Sequence, residues 1–253
     1  MESVKKGSWS RLLIFFIFYL MLYLIVGSVI AQLFGVPHNL LTITTQTLVI
    51  GYGLIFGHVI INRKISFIPN KSQVLRSFPL FLFTLVPMVT DLLFSSQNRM
   101  NFPEFSKALP SAIFAGVSEE LILRGIILVA LINLFRDRRY SNLISINLSS
   151  MVFALLHLLN LFSSSSSFTM TVGQVIYAYM LGVFLSVLFI SSGSLLMPII
   201  SHILIDSTAF LEHDLPMSNL VLFILMYGLI PMVAALILKK EELLQNFNQK
   251  NQP

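Results

Sequence analysis

Seven ionisable side chains stand where a lipid environment penalises them. Five formal charges, on Asp91, Glu119, Glu120, Arg124 and Asp206, fall inside long apolar stretches, and His157 and His202 add two imidazoles at similar depth. An ionised group at a bilayer centre costs at least about 2.5–3.5 kcal/mol, so each needs a partner or a task. Glu120 and Arg124 are four apart, share a helix face and can pair. Glu119 is rotated by about 100° from Glu120 and is expected to point elsewhere. His202 and Asp206 repeat the four-residue spacing, as do Phe153 and His157. Three helices thus direct Glu119, His157 and the His202/Asp206 pair towards a common centre. Singly, each residue has an ordinary reading: a structural ion pair, a hydrogen-bonded histidine, or an Asp91 that satisfies groups near Pro87. Jointly, a carboxylate and two imidazoles within lipid mark a polar reaction or ion site.

The elements that must carry them are membrane helices. Of 253 residues 56% are hydrophobic and only 11% charged, with 22 Phe and a mean hydropathy of +0.85. A soluble domain carries about 25% charged residues, so this chain cannot cover a water-facing surface of its size. A soluble enzyme, a nucleic-acid binder and a disordered scaffold are excluded as principal readings. Cysteine is absent, which removes disulfides, thiolate metal sites and a cysteine nucleophile together. No Asp, Glu, Lys or Arg occurs over residues 12–62. At about 20 residues per crossing, that stretch makes two spans, broken near Gly35-Val36-Pro37-His38-Asn39. The expected helices are 12–34, 41–61, 78–94, 111–135, 142–162, 170–190, 195–211 and 219–238. The fold class is therefore all-α, a polytopic transmembrane helical bundle of about eight spans forming a single integral membrane domain over 1–253. Gly53-Leu-Ile-Phe-Gly57 reads as a close-packing face rather than a ligand site, and Ser163–Ser167 as a connector.

The net charge of +5 does not call for nucleic acid, because the basic residues sit in short runs between spans. With the N-terminus inside, the inner segments hold Lys5, Lys6, Arg11, Arg63, Lys64, Lys71, Arg76, Arg136, Arg138, Arg139, Lys239, Lys240 and Lys250. The outer loops hold only Arg99 and Lys107. That asymmetry follows the positive-inside rule and gives a multi-pass plasma-membrane protein with both termini cytoplasmic. The first apolar run exceeds the 7–15 residues of a signal peptide core and is expected to be retained as a helix. With helix four entering at residue 111, Glu119 lies about 12 Å from its outer end, and His157 about 8 Å from the outer end of helix five. The polar centre is then expected in the outer half of the bilayer.

Ser118-Glu119-Glu120-Leu-Ile-Leu-Arg124-Gly125 reads as EExxxR, Phe153-Ala-Leu-Leu-His157 as FxxxH, and His202-Ile-Leu-Ile-Asp206 as HxxxD. This order, each motif on its own helix, resembles the CPBP family of CAAX proteases and bacteriocin-processing enzymes, formerly grouped as Abi, which includes the type II CAAX prenyl endopeptidases. The resemblance covers a peptidase core of about 111–210. It implies an intramembrane endopeptidase of metalloprotease label, acting on a membrane-associated, prenylated or leader-containing peptide. Glu119 and His157 would activate the attacking water, and His202 with Asp206 would hold that water or stabilise the oxyanion. Glu120, Arg124 and Phe153 would complete the motifs structurally.

The prenyl endopeptidases carry Asn where this chain has Asp206, and an ionised Asp cannot donate a hydrogen bond. That favours a metal-ligand or histidine-orienting role for Asp206. Two mechanisms stand. In one, His157, His202 and Asp206 bind Zn2+; in the other, Glu119 acts as general base without metal. No HExxH demands zinc. Rhomboid-like chemistry lacks its GxSG, since the nearest string is Ile190-Ser191-Ser192-Gly193. A non-catalytic bacteriocin self-immunity or peptide-binding protein is the alternative, and a small transporter is third. The expected partners are the bilayer and a peptide or lipidated-protein substrate, with no nucleic acid.

Overall fold

The computed structural model describes residues 2–37, 40–61, 66–86, 102–162 and 168–209, and every regular element among them is helical. The chain is an all-α integral membrane protein. The first helix runs over α1 (Glu2–Met21), a π-helical segment (Leu22–Val26) and α2 (Gly27–Leu33). It starts ten residues before the expected 12, because the basic lead-in contains no proline to break it. It ends at Gly35, whose φ of 62° lies in the left-handed region that glycine enters without strain. α3 (Leu41–Ile61) has the expected bounds. Its Thr44 and Thr47 hydroxyls donate to the carbonyls of Leu40 and Ile43 at 2.9 and 2.7 Å, which satisfies them in an apolar setting.

α4 (Lys71–Phe81) begins seven residues before the expected 78. Asn70 sets that start: its side chain accepts from the Gln73 amide at 3.0 Å while Gln73 Oε1 accepts from the Asn70 amide at 2.8 Å. A 3-10 turn (Leu82–Thr84) follows, and from residue 87 on that expected span, with Asp91, lies outside the described residues. α5 (Phe102–Glu120) continues through a π-helical segment (Leu121–Leu128) into α6 (Val129–Phe135). The expected start at 111 is corrected to 102. Hydropathy excludes Glu104 and Lys107, but both residue types are helix-compatible, and Pro103 is tolerated in a first turn. α7 (Ser141–Leu156) tightens into a 3-10 segment (His157–Phe162); α8 (Phe168–Ser192) and α9 (Leu196–Ala209) follow. The expected eighth span and the serine run lie outside the described residues. By length and composition, Leu41–Ile61, Ser141–Leu161 and Thr171–Ser192 are able to cross a membrane; Trp9–Ile25 and Leu196–Ser207 are shorter apolar helices.

The chain divides into two compact units, Met1–Leu134 with Leu188–Asp214, and Phe135–Val187 with Leu215–Pro253. In the first, the GxxxG of α3 packs on the π-helical segment. A Cβ at Gly53 would lie 3.0 Å from Ile122 Cδ1, and one at Gly57 only 2.5 Å from Ile126 Cδ1. The glycines therefore admit the branched side chains that hold this segment. The turn before α9 is tied down by residues 66–76. Leu195 and Leu196 amides donate to the carbonyls of Ser66 and Phe67 at 3.0 and 3.1 Å, and Ser194 Oγ donates to Phe67 at 2.6 Å. Arg76 donates to the Ser191 carbonyl at 2.6 Å through a terminal guanidinium nitrogen. Ser191, Ser192 and Gly193 thus build a turn, with Gly193 at φ 61°. In the second unit Gly182 lets α8 approach α7, where a Cβ would stand 2.9 Å from that of Ser150.

Gly57→Val should cost about 1–3 kcal/mol by overpacking Ile126. Gly51 should accept Ala without loss, because an added methyl group there would meet nothing within 4 Å. Thermal unfolding in detergent compares the two, and equal midpoints would remove the close-packing role assigned to Gly57.

Candidate active site

Helix α5 delivers its functional groups at its end, where Glu119 and Glu120 adjoin the π-helical segment carrying Arg124. Helix α9 delivers His202 and Asp206 one turn apart. The two helices meet at Gly116, where a Cβ would come within 2.8 Å of Ile203 Cγ1 and 3.4 Å of the Ile203 backbone nitrogen. A side chain there would push the helices apart just one turn from the glutamates.

At that contact one carboxylate oxygen accepts from two neighbours. Glu120 Oε1 lies 2.5 Å from Arg124 Nη1 and 2.7 Å from His202 Nδ1. Glu120 and Arg124 are 0% exposed and His202 is 2% exposed. The expected Glu120–Arg124 pair is present, and the structure extends it across to a second helix. Glu120 Oε2 has no hydrogen-bond partner among the described residues.

The opposite ring nitrogen faces the other two acids. His202 Nε2 stands 3.7 Å from Glu119 Oε2 and 3.5 Å from Asp206 Oδ2. These two carboxylates keep 20% and 25% of their side-chain surface exposed, so they border an accessible space that Glu120 does not. Glu119 and Glu120 point to different sides, as their rotation implies, yet they flank one imidazole. A rotation of about 100° separates neighbours on a helix, and a ring inserted between them offers a nitrogen to each side.

Several contributors carry no signal in the sequence. Ser118 Oγ donates to Gln46 Oε1 inside the buried core, tying α3 to the residue before Glu119. Thr84 and Ser201 hydroxyls bond at 2.8 Å beside His202. Tyr19 and Tyr23, one turn apart with tilted rings at 6.1 Å, lie within electrostatic reach of Glu119. A polar residue in an apolar helix marks a candidate, but only the packing names its partner.

In the second unit, His157 caps α7 and places Nδ1 2.9 Å from the Phe153 carbonyl oxygen. The buried Phe153 ring meets the imidazole edge-on, with centroids 4.8 Å apart. The FxxxH spacing is thereby explained, since one residue supplies both an acceptor and a wall to the ring four positions on. No three His, Asp or Glu side chains among the described residues are grouped to hold a metal ion.

Residues 101–208 match a family model described as Rce1-like, the type II CAAX prenyl endopeptidase Rce1-like family. The matched stretch contains all three motifs. No curated protein and no solved structure matches the chain significantly.

Breaking the buried network from one side strands a charge. Arg124→Met should cost about 3–5 kcal/mol in unfolding stability. Combining it with Glu120→Gln should restore part of the loss, because no unmatched carboxylate then remains. A double variant as unstable as the single in a detergent melt would contradict the pairing.

Proposed function

From the match of residues 101–208 to the Rce1-like family model of type II CAAX prenyl endopeptidases, we propose that this chain is an intramembrane endopeptidase in which Glu119 and His157 activate water. The observation that carries this reading is the pair of adjacent glutamates flanking His202, of which only Glu119 is on the accessible side.

The reaction follows from those groups. Water adds to the scissile carbonyl, forming a C–O bond as Glu119 takes its proton. The same proton passes to the leaving amine as the C–N bond breaks. A carboxylate is suited to both transfers when it is held in an apolar site. In this proposal His157, whose Nδ1 lies 2.9 Å from the Phe153 carbonyl oxygen, acts through its other nitrogen. His202 and Asp206 hold the water. In the competing metal form of the same hydrolysis, His157, His202 and Asp206 would be the residues to hold a zinc ion, and the ion would supply an activated water.

The substrate follows from the family and from depth. Glu119 is roughly 26 Å from the start of its helix at residue 102, at 1.5 Å per residue, rather than the 12 Å expected from a start at 111. That is near the middle of the helical run 102–135. A peptide carrying a prenyl group suits such a site, because the lipid keeps the peptide at the bilayer in which these helices lie. The eight-span topology with both termini cytoplasmic is part of the proposal.

Three measurements test it. Glu119→Gln and His157→Ala should each lower cleavage of a prenylated CAAX peptide by about 10²–10⁴-fold while the purified protein melts as the wild type does. Full activity in both would leave a peptide-binding, self-immunity role in place of catalysis. Activity should survive phenanthroline; loss on chelation with return on adding zinc would establish the metal form. For topology, a cysteine introduced at Phe162 should react with an impermeant thiol reagent in intact cells and one at Arg138 should not. The reverse pattern would invert the chain.

A further inference from the structure

The accessible side of the glutamate doublet is short of one thing that peptide hydrolysis needs. When water adds to a carbonyl, the carbonyl oxygen becomes an anion, and a preorganised donor stabilises it. In the first unit the motif side chains that border the open space are Glu119 and Asp206, which only accept when ionised. His202 is enclosed, with Glu120 Oε1 2.7 Å from Nδ1 and two further acids within 3.7 Å of Nε2, so the protons it carries face carboxylates. Arg124 is enclosed beside Glu120. A donor to the open space has to come from elsewhere in the unit.

The first helix supplies one. Phe15 and Tyr52 stack with centroids 4.8 Å apart, and the Tyr52 hydroxyl donates to the Phe15 carbonyl at 3.0 Å, which fixes the register between the first helix and α3. The two helices run antiparallel through the short connection at Gly35. At 1.5 Å per residue, Gln46 lies about 9 Å along α3 from Tyr52, and Tyr19 and Tyr23 lie about 6 and 12 Å from Phe15 in the same direction. The two phenols thus bracket the level of Gln46, whose side-chain oxygen accepts from Ser118, the residue before Glu119. Their electrostatic interaction with Glu119 agrees with that placement. Tyr19 is buried, whereas Tyr23, one turn further on, is half-buried. Tyr23 also sits in the π-helical segment Leu22–Val26, a local widening that recurs at functional sites. Among the described residues neither phenol oxygen is engaged in a hydrogen bond, in contrast to that of Tyr52.

We propose that Tyr23 is a further catalytic residue, whose phenol donates a hydrogen bond to the oxygen of the scissile carbonyl as water adds to it. The catalytic part rests on the peptidase reading above; the place of Tyr23 beside Glu119 does not. The phenol keeps its proton throughout. A C–O bond forms as a water proton goes to Glu119, and the carbonyl oxygen gathers negative charge against the Tyr23 hydroxyl. That charge returns to the C=O bond as the C–N bond breaks and the amine leaves with the proton from Glu119. A hydrogen bond to an anion is stronger than one to a neutral carbonyl, so the contact tightens in the transition state. Asp206 gives the assignment its reason, since an Asn there could donate and a carboxylate cannot.

One measurement tests the place and another the chemistry. The chain has no cysteine, so in the full-length protein in detergent Tyr23→Cys with Glu119→Cys should be joined by a short bismaleimide, read by mass spectrometry. Met21→Cys with Glu119→Cys should not, because Met21 is on the exposed side of the helix. Linkage of both pairs alike, or of neither, overturns the proposal. Tyr23→Phe should lower kcat for a prenylated CAAX peptide about 10²–10³-fold per folded molecule, with little change in KM. Tyr52→Phe, which loses a hydroxyl already bonded to Phe15, should keep kcat near that of the wild type. A phosphinate analogue of the tetrahedral intermediate should bind Tyr23→Phe more weakly by the factor that kcat/KM falls. Unchanged kcat in Tyr23→Phe overturns the proposal, as does a loss that Tyr52→Phe shares. Cleavage unaffected by Glu119→Gln would instead overturn the peptidase reading, and the catalytic part with it, whatever the linkage shows.

Discussion

A single buried carboxylate oxygen, Glu120 Oε1, is shared by Arg124 on its own helix and His202 on another. Both contacts lie out of water, where two charges and an imidazole are expensive to bury and worse to leave half-paired. The surrounding structure reads as the means of making that contact close. Gly116 lets α5 and α9 approach to backbone distance one turn away. Gly53 and Gly57 seat Leu121, Ile122 and Ile126, which fixes the π-helical segment that presents Arg124. The tie from residues 66–76 to the turn at Gly193 sets where α9 begins, and so where His202 arrives. A small residue, a widened helix and a clamped turn answer one electrostatic demand.

The doublet of glutamates has its reason in the same place. Two adjacent helical residues point about 100° apart, which on a flat surface would separate them. An imidazole inserted between them converts that divergence into a bracket, with one carboxylate at each nitrogen. The two acids then differ in environment despite adjacent positions. Glu120 is wholly enclosed and committed to Arg124 and His202, while Glu119 keeps a fifth of its side chain exposed beside Asp206. Burial sorts two chemically identical groups into an enclosed holder and an accessible carboxylate.

Much of the site's cast is legible in the sequence because charge inside an apolar run is conspicuous. Glu119, Glu120, Arg124, His202 and Asp206 stand out, and their four-residue spacings give the pairs within each helix. What spacing cannot give is contact between helices. The Glu120–His202 bond, the Ser118–Gln46 bond and the Thr84–Ser201 bond all join distant positions through uncharged or already paired groups. The π-helical stretch over Leu121–Leu128 is equally hidden, since its apolar residues suit any buried helix. Helix starts depart from expectation in a consistent direction. Lys71, Glu104 and Lys107 end the hydropathy signal, yet helices continue beyond a membrane's apolar core wherever capping and propensity allow. Helix α3, bounded by breakers on an uncharged run, has the bounds its sequence predicts.

The acid at position 206 and the imidazole at position 202 constrain each other. Asp206 Oδ2 stands 3.5 Å from His202 Nε2 with a quarter of the side chain exposed. Glu119 Oε2 stands 3.7 Å from the same nitrogen, and Glu120 Oε1 2.7 Å from the other. Three carboxylates therefore surround one buried ring. An Asn at 206 would remove one of those negative charges and bring an NH2 donor towards Nε2. Asp206 instead adds an acceptor, so that acids from two helices address both ring nitrogens and the contact between α5 and α9 is held by charge as well as by the close approach at Gly116.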